Sequence, residues 1–89
     1  MKFTVVWKPA AERQLAEIWL TATDRRAITT ATEELESALA TRPEDIGESR
    51  PLDCRIAFVQ PLAVTFRVNI ADRLVEVVSI RGINPGRPA

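Results

Sequence analysis

Residues 55–68 read RIAFVQPLAVTFRV, two stretches of alternating character separated by Gln60 and Pro61. In the second stretch Val64, Phe66 and Val68, with Ile70 beyond them, fall on one face. Ala63, Thr65, Arg67 and Asn69 fall on the other. Alternation of period two, built from β-branched and aromatic residues, predicts strands. A Gln60-Pro61 turn makes the pair a hairpin, with strands expected over about 54–59 and 63–70. A third strand, about 73–81, follows a tight turn at Ala71, Asp72 and Arg73. Its segment LVEVVSI is apolar on both faces except at Glu76 and Ser79, which places it inside a sheet and not at an edge.

Towards the N-terminus, KFTVVW (2–7) alternates Phe3, Val5 and Trp7 against Lys2, Thr4 and Val6 and reads as a first strand. Pro9 ends it and suits the first turn of a helix. From Pro9 to about Ala22, Ala11, Leu15, Ile18, Trp19 and Ala22 form one apolar stripe, with Glu12, Arg13, Gln14 and Glu17 off it. Asp24 is placed to cap a second helix, whose buried face is Ile28, Ala31, Leu35, Ala38 and Leu39 and which stops before Pro43. The short connection implies an antiparallel αα-hairpin. RPEDIGESRP (42–51) reads as a loop, from its prolines, glycine and charge.

The expected fold is therefore α+β: a single small domain over residues 1–82 in the order β-α-α-β-β-β. The αα-hairpin packs on one face of a small, mostly antiparallel sheet, and residues 83–89 form a flexible tail. Trp7, Trp19, Phe58 and Phe66 are expected in the core. The polar set of each strand emerges on the open face, bringing Arg67, with Arg55 and Arg81, towards it.

Composition narrows the chemistry. The chain has no histidine, no tyrosine and one cysteine, Cys54, so an internal disulfide is excluded, as are a histidine-based triad and a cysteine–histidine metal cluster. Neither a glycine-rich phosphate loop nor a G-x-S-x-G stretch occurs, and no cofactor is expected. No apolar run approaches the roughly 20 residues that span a bilayer, and the N-terminus turns charged too early for a signal peptide; a soluble cytoplasmic protein is expected. Glu33 and Glu34 read as a solvated helix face. Net charge is zero, but residues 1–48 hold six basic and nine acidic side chains while residues 49–89 hold six basic and three acidic. That asymmetry directs attention to nucleic acid or another acidic partner of the C-terminal half, with Arg50, Arg67 and Arg73 as nucleic-acid contact candidates. A guanidinium suits phosphate and can stabilise a phosphorane during RNA cleavage. It cannot move protons near neutral pH.

Two stretches carry a family resemblance. VVWKPAAERQLAEIW (5–19) is similar to the opening strand and helix of the RelE/ParE superfamily, the toxins of type II toxin–antitoxin (plasmid-stabilisation) modules of bacteria. CRIAFVQPLAVTFRV (54–68) resembles the hairpin that many members write Y-R-I-R-V-x-x-Y-R-V-x-Y-x-V. The resemblance covers residues 3 to about 82. It implies a toxin-like protein that binds a cognate antitoxin. If the protein is an enzyme, the resemblance implies a ribosome-dependent endoribonuclease that inhibits translation by cutting ribosome-bound mRNA. Arg55 matches the first basic position of the hairpin, and Arg81 lies where ribonuclease members place a catalytic arginine; these two are the catalytic candidates. The other basic hairpin positions fall on Ala57 and Ala63, and the aromatic acid of the family falls near Pro85. The alternative implied by ParE-like members is a non-enzymatic binding module, either a DNA gyrase inhibitor or an attenuated homologue that chiefly binds an antitoxin.

Overall fold

The computed structural model describes residues 2–51 and 53–83. Strand β1 spans Thr4–Trp7 and helix α1 Pro9–Thr21. Pro9 opens α1 without any side-chain cap from Lys8, because its fixed φ and missing N–H already fit a helix start. The far end of α1 is closed from outside: Arg25 donates from Nε to the Trp19 carbonyl (3.0 Å) and from Nη2 to the Leu20 carbonyl (3.2 Å), satisfying acceptors that a helix C-terminus leaves orphaned. Helix α2 spans Arg25–Thr41, and the Ala27 amide donates to Asp24 Oδ1 (3.1 Å), the expected cap.

The remaining strands are β2 Glu48–Arg50, β3 Cys54–Val59, β4 Leu62–Asn69 and β5 Leu74–Gly82. They form one sheet in the order β1-β5-β4-β3-β2. Only the β1–β5 pair is parallel; the others are antiparallel. β5 is internal, as its two apolar faces require. Helix α1 lies over β5, and α2 packs against β1 and β3. The core between the layers joins Ala11, Ile28, Ala31, Leu35 and Leu39 of the helices to Leu62, Val64, Phe66, Val75, Val77 and Ile80 of the sheet. Complete burial of side chains such as Phe66 and Leu35 stabilises the fold by about 1.5–3 kcal/mol each.

Several expectations are corrected. Glu48–Arg50 lies in the segment read as a loop, yet pairs with Ile56, Arg55 and Cys54; three polar residues carry no periodicity, and the open edge of β3 recruits them. Phe58 is not in the core but 59% exposed, while Ala57 is buried. The hairpin pairs Val59 with Leu62 and Ala57 with Val64, and turn register outranks side-chain size. Trp19, expected in the core, is 41% exposed, with the Arg25 guanidinium 4.5 Å from its ring centroid. Ile70 follows the end of β4 and is exposed. β5 ends at Gly82, and the Ile83 amide donates to the Pro61 carbonyl (2.7 Å); residues 84–89, with the Pro85 position, lie outside the described residues.

Candidate functional site

The sheet face away from the helices is built from rows of cross-strand neighbours. One row is Phe58, Ala63 and Arg81; the next holds Ile56, Thr65 and Ser79; a third joins Arg50, Cys54, Arg67, Glu76 and Val6. Arg81 reaches this face through an irregularity. Val75 and Val77 point into the core, and strict alternation would send Ser79 and Arg81 after them. Instead Thr65 pairs with Ser79 and Phe66 with Val77, leaving Val78 unpaired. This β-bulge resets the phase, so Ile80 is buried at 1% exposure and Arg81 turns outward.

The five arginines singled out from the sequence do not converge. Arg81 and Arg67 share the open face but lie four residues apart in strand register, about 14 Å. Arg67 faces Glu76 across β4 and β5, and Glu76 also pairs with Lys8 (Nζ to Oε2, 3.6 Å). Arg50 sits at the outer edge in an ion pair with Glu48 (3.1 Å). Arg73 occupies the β4–β5 turn with φ 50°, at the opposite end of β5 from Arg81. Arg55 is on the other face: it is the partner of Phe66, on the helix side. Its Nε donates to the Ile46 carbonyl (3.0 Å), Nη2 to the Gly47 carbonyl (3.1 Å) and Nη1 to Ser49 Oγ (3.0 Å). It anchors the approach to β2.

Arg81 is exposed and, among the described residues, neither Arg81 nor Arg67 belongs to an ion pair. An exposed guanidinium of this kind can engage a phosphate with its planar fork. The carboxylates of the open face stand elsewhere: Glu76 in the row of Arg67, and Glu48 opposite Ile56. Among the described residues no group of His, Cys, Asp and Glu is placed to hold a metal ion, and no helix is long and apolar enough to cross a membrane.

A second feature lies on the helical side and was not legible in the hydrophobic stripe. Between α1 and α2 runs a groove of about 860 Å³ floored by Trp7, Leu15 and Ile28. Leu20, 63% exposed, and Trp19 stand at one wall. Glu12, Glu33 and Glu36 line the groove, so an apolar floor carries a negative rim. Sequence alone misses it because Trp19 reads as a core member of its stripe.

No family model matches the sequence, and no curated protein matches it. Solved structures do match its shape. The toxin–antitoxin complex RelBE2 of Mycobacterium tuberculosis contains a chain 18% identical, with a TM-score of 0.76 and 92% of each chain covered. The chromosomal ParDE toxin–antitoxin system of P. aeruginosa contains one 15% identical, with a TM-score of 0.72, covering 93% of this chain and 98% of that one. TrmO of Pseudomonas aeruginosa also matches, at 22% identity and a TM-score of 0.62, over 91% of this chain but 36% of its own. The chain has a RelE/ParE-like fold, and the same architecture also occurs as part of a longer protein.

Proposed function

We propose that this chain is the toxin-like component of a type II toxin–antitoxin module, acting in the cytoplasm on translation by cleavage of ribosome-associated mRNA. The observation that carries the reading is the bulge in β5, which turns Arg81 onto the open face of a RelE/ParE-like fold. In a cleavage in which the ribose 2′-hydroxyl attacks the adjacent phosphate and displaces the 5′-oxygen of the next nucleotide, the hydroxyl proton passing to solvent and the leaving oxygen taking one from it, negative charge builds on the equatorial oxygens, and a guanidinium placed there lowers the barrier. With no histidine or tyrosine in the chain, its contribution is electrostatic and positional. Arg67 and Arg50 extend phosphate contacts across β4 to β2. Arg55 acts indirectly, by holding the segment that leads into β2.

The partner in this reading is an antitoxin, and the acidic-rimmed groove between α1 and α2 suits an amphipathic helix with apolar anchors and flanking basic residues.

The test is tightly controlled induction of the protein alone in bacteria, with message integrity followed by primer extension. Growth arrest with newly cut message is expected. Arg81→Ala should slow cleavage by about 10²- to 10³-fold, the usual consequence of removing one transition-state donor, and restore growth. Arrest that survives Arg81→Ala with intact message would overturn the ribonuclease reading. A second reading, a gyrase-directed or attenuated binding module, is favoured by the lack of an acid–base residue in the row of Arg81. Arrest accompanied by loss of DNA supercoiling would support its gyrase form. Unimpeded growth with intact, folded protein would support the attenuated one.

A further inference from the structure

We infer that Gln14 of α1 is a positioning residue for Arg81, tethering the bulged end of β5 so that the guanidinium stays on the open face. The inference rests on the reading of Arg81 given above, but its geometry stands independently. β1 ends at Trp7, opposite Val77. Beyond that point β5 has β4 on one side and, among the described residues, no strand on the other. An amide there needs an acceptor from outside the sheet. Gln14 supplies it: the Ile80 N–H donates to Gln14 Oε1 at 2.8 Å, across 66 residues of sequence.

The bond falls at the critical place. Val78 is the unpaired residue of the bulge, and Ile80 is the first core residue after the phase is reset. Arg81 follows it directly. Two constraints thus hold this end of β5: the buried Ile80 side chain and the Gln14 bond to its amide. Without the acceptor, the N–H of a buried residue is left unpaired, and relaxation of the bulge becomes favourable. Erasing the bulge would pair Arg81 with Leu62 in place of Ala63 and carry Arg81 towards the helices, because a one-residue slip reverses every side chain beyond it.

The decisive variant is Gln14→Met, which keeps length and removes the acceptor, read against Gln14→Glu, which keeps an acceptor oxygen. Backbone NMR reports the register through the cross-strand contact of Arg81 with Ala63 and through exchange of the Ile80 amide. In Gln14→Met, we expect Ile80 exchange to accelerate by about tenfold and the Arg81–Ala63 contact to weaken or to be joined by Arg81–Leu62. Gln14→Glu should restore both. A slow Ile80 amide and an unchanged Arg81–Ala63 contact in Gln14→Met would overturn the inference. Should that variant not fold, Gln14→Asn, one methylene short, is read by the same criteria. Register is measured without any toxicity assay, so a failure of the ribonuclease reading leaves this result interpretable. If Arg81→Ala proves inactive, Gln14→Met should lose activity in parallel and Gln14→Glu should recover it.

Discussion

The Arg55 guanidinium commits Nε, Nη1 and Nη2 to three acceptors within residues 46–49, whereas Arg81 stands exposed at the end of β5. The two look alike in the sequence, each at one end of an expected strand. The sequence contains no local sign that separates them, because the difference lies in which face each occupies: hairpin register decides it for Arg55 and a bulge for Arg81. Their substitutions should therefore separate stability from function. Arg55→Met preserves much of the stem but removes three hydrogen bonds and leaves the Ile46 and Gly47 carbonyls short of a donor. A loss of about 1–3 kcal/mol is expected, read as a lower melting temperature. Arg81→Ala, at an exposed position, should stay within about 0.5 kcal/mol of the parent. An Arg55→Met protein that melts with the parent would refute the anchoring role.

At the scale of elements, most of the architecture was legible and the exceptions have physical causes. The stripe from Ala11 to Ile18 and the α2 face of Ile28, Ala31, Leu35 and Leu39 follow helical periodicity into the core. Asp24 and Pro9 mark helix starts by chemistry that acts within one turn. β2 was not legible, since Glu48, Ser49 and Arg50 become a strand only through their partner. The bulge was not legible either, because Val77-Val78-Ser79-Ile80 is compatible with either phase until α1 and β4 are in place. The segment before β2 depends on Gly47, whose φ is 74° and where an added Cβ would run into the Ile56 carbonyl. Gly47→Ala combines backbone strain with that collision. It should cost more than about 1 kcal/mol, equivalent to a fall of about 4–8 °C in melting temperature for a domain this size, and release protection of the β2 amides in hydrogen exchange. Unchanged protection would mean that the sheet edge accommodates the side chain.

For the whole molecule, the two faces divide the work. The open sheet carries exposed arginines interleaved with Glu76 and Glu48, and the helical side carries an apolar groove with acidic walls. The charge division noted in the sequence, acidic before residue 49 and basic after it, largely follows the division between helices and strands, with Glu48 on the open face and Arg55 on the helical side as exceptions. Leu20→Glu places another negative charge on an exposed groove wall without touching the core. It should leave folding intact while weakening binding of the proposed antitoxin partner by about 10-fold or more, as expected for an exposed anchor. Full-strength binding by Leu20→Glu, measured by titration calorimetry, would place the antitoxin elsewhere. A loss in melting temperature without a loss of binding would argue the same.

The parallel pairing of β1 with β5 joins the first and last strands of the described residues, Thr4 to Leu74 and Trp7 to Val77. β5 is also the neighbour of β4, so the sheet has no continuous middle until residues 74–82 have been synthesised. The two helices, complete by Thr41, are made well before the strand that unites the sheet, and the β3–β4 hairpin precedes it by a short turn. Closing the loop from β1 to β5 is entropically slow, and folds dominated by such distant pairings assemble late. Arg81 belongs to β5, so the residue on which the proposed activity depends and the fold that orients it are completed together, once residues 74–82 have emerged. Nascent chains stopped short of Leu74 have neither.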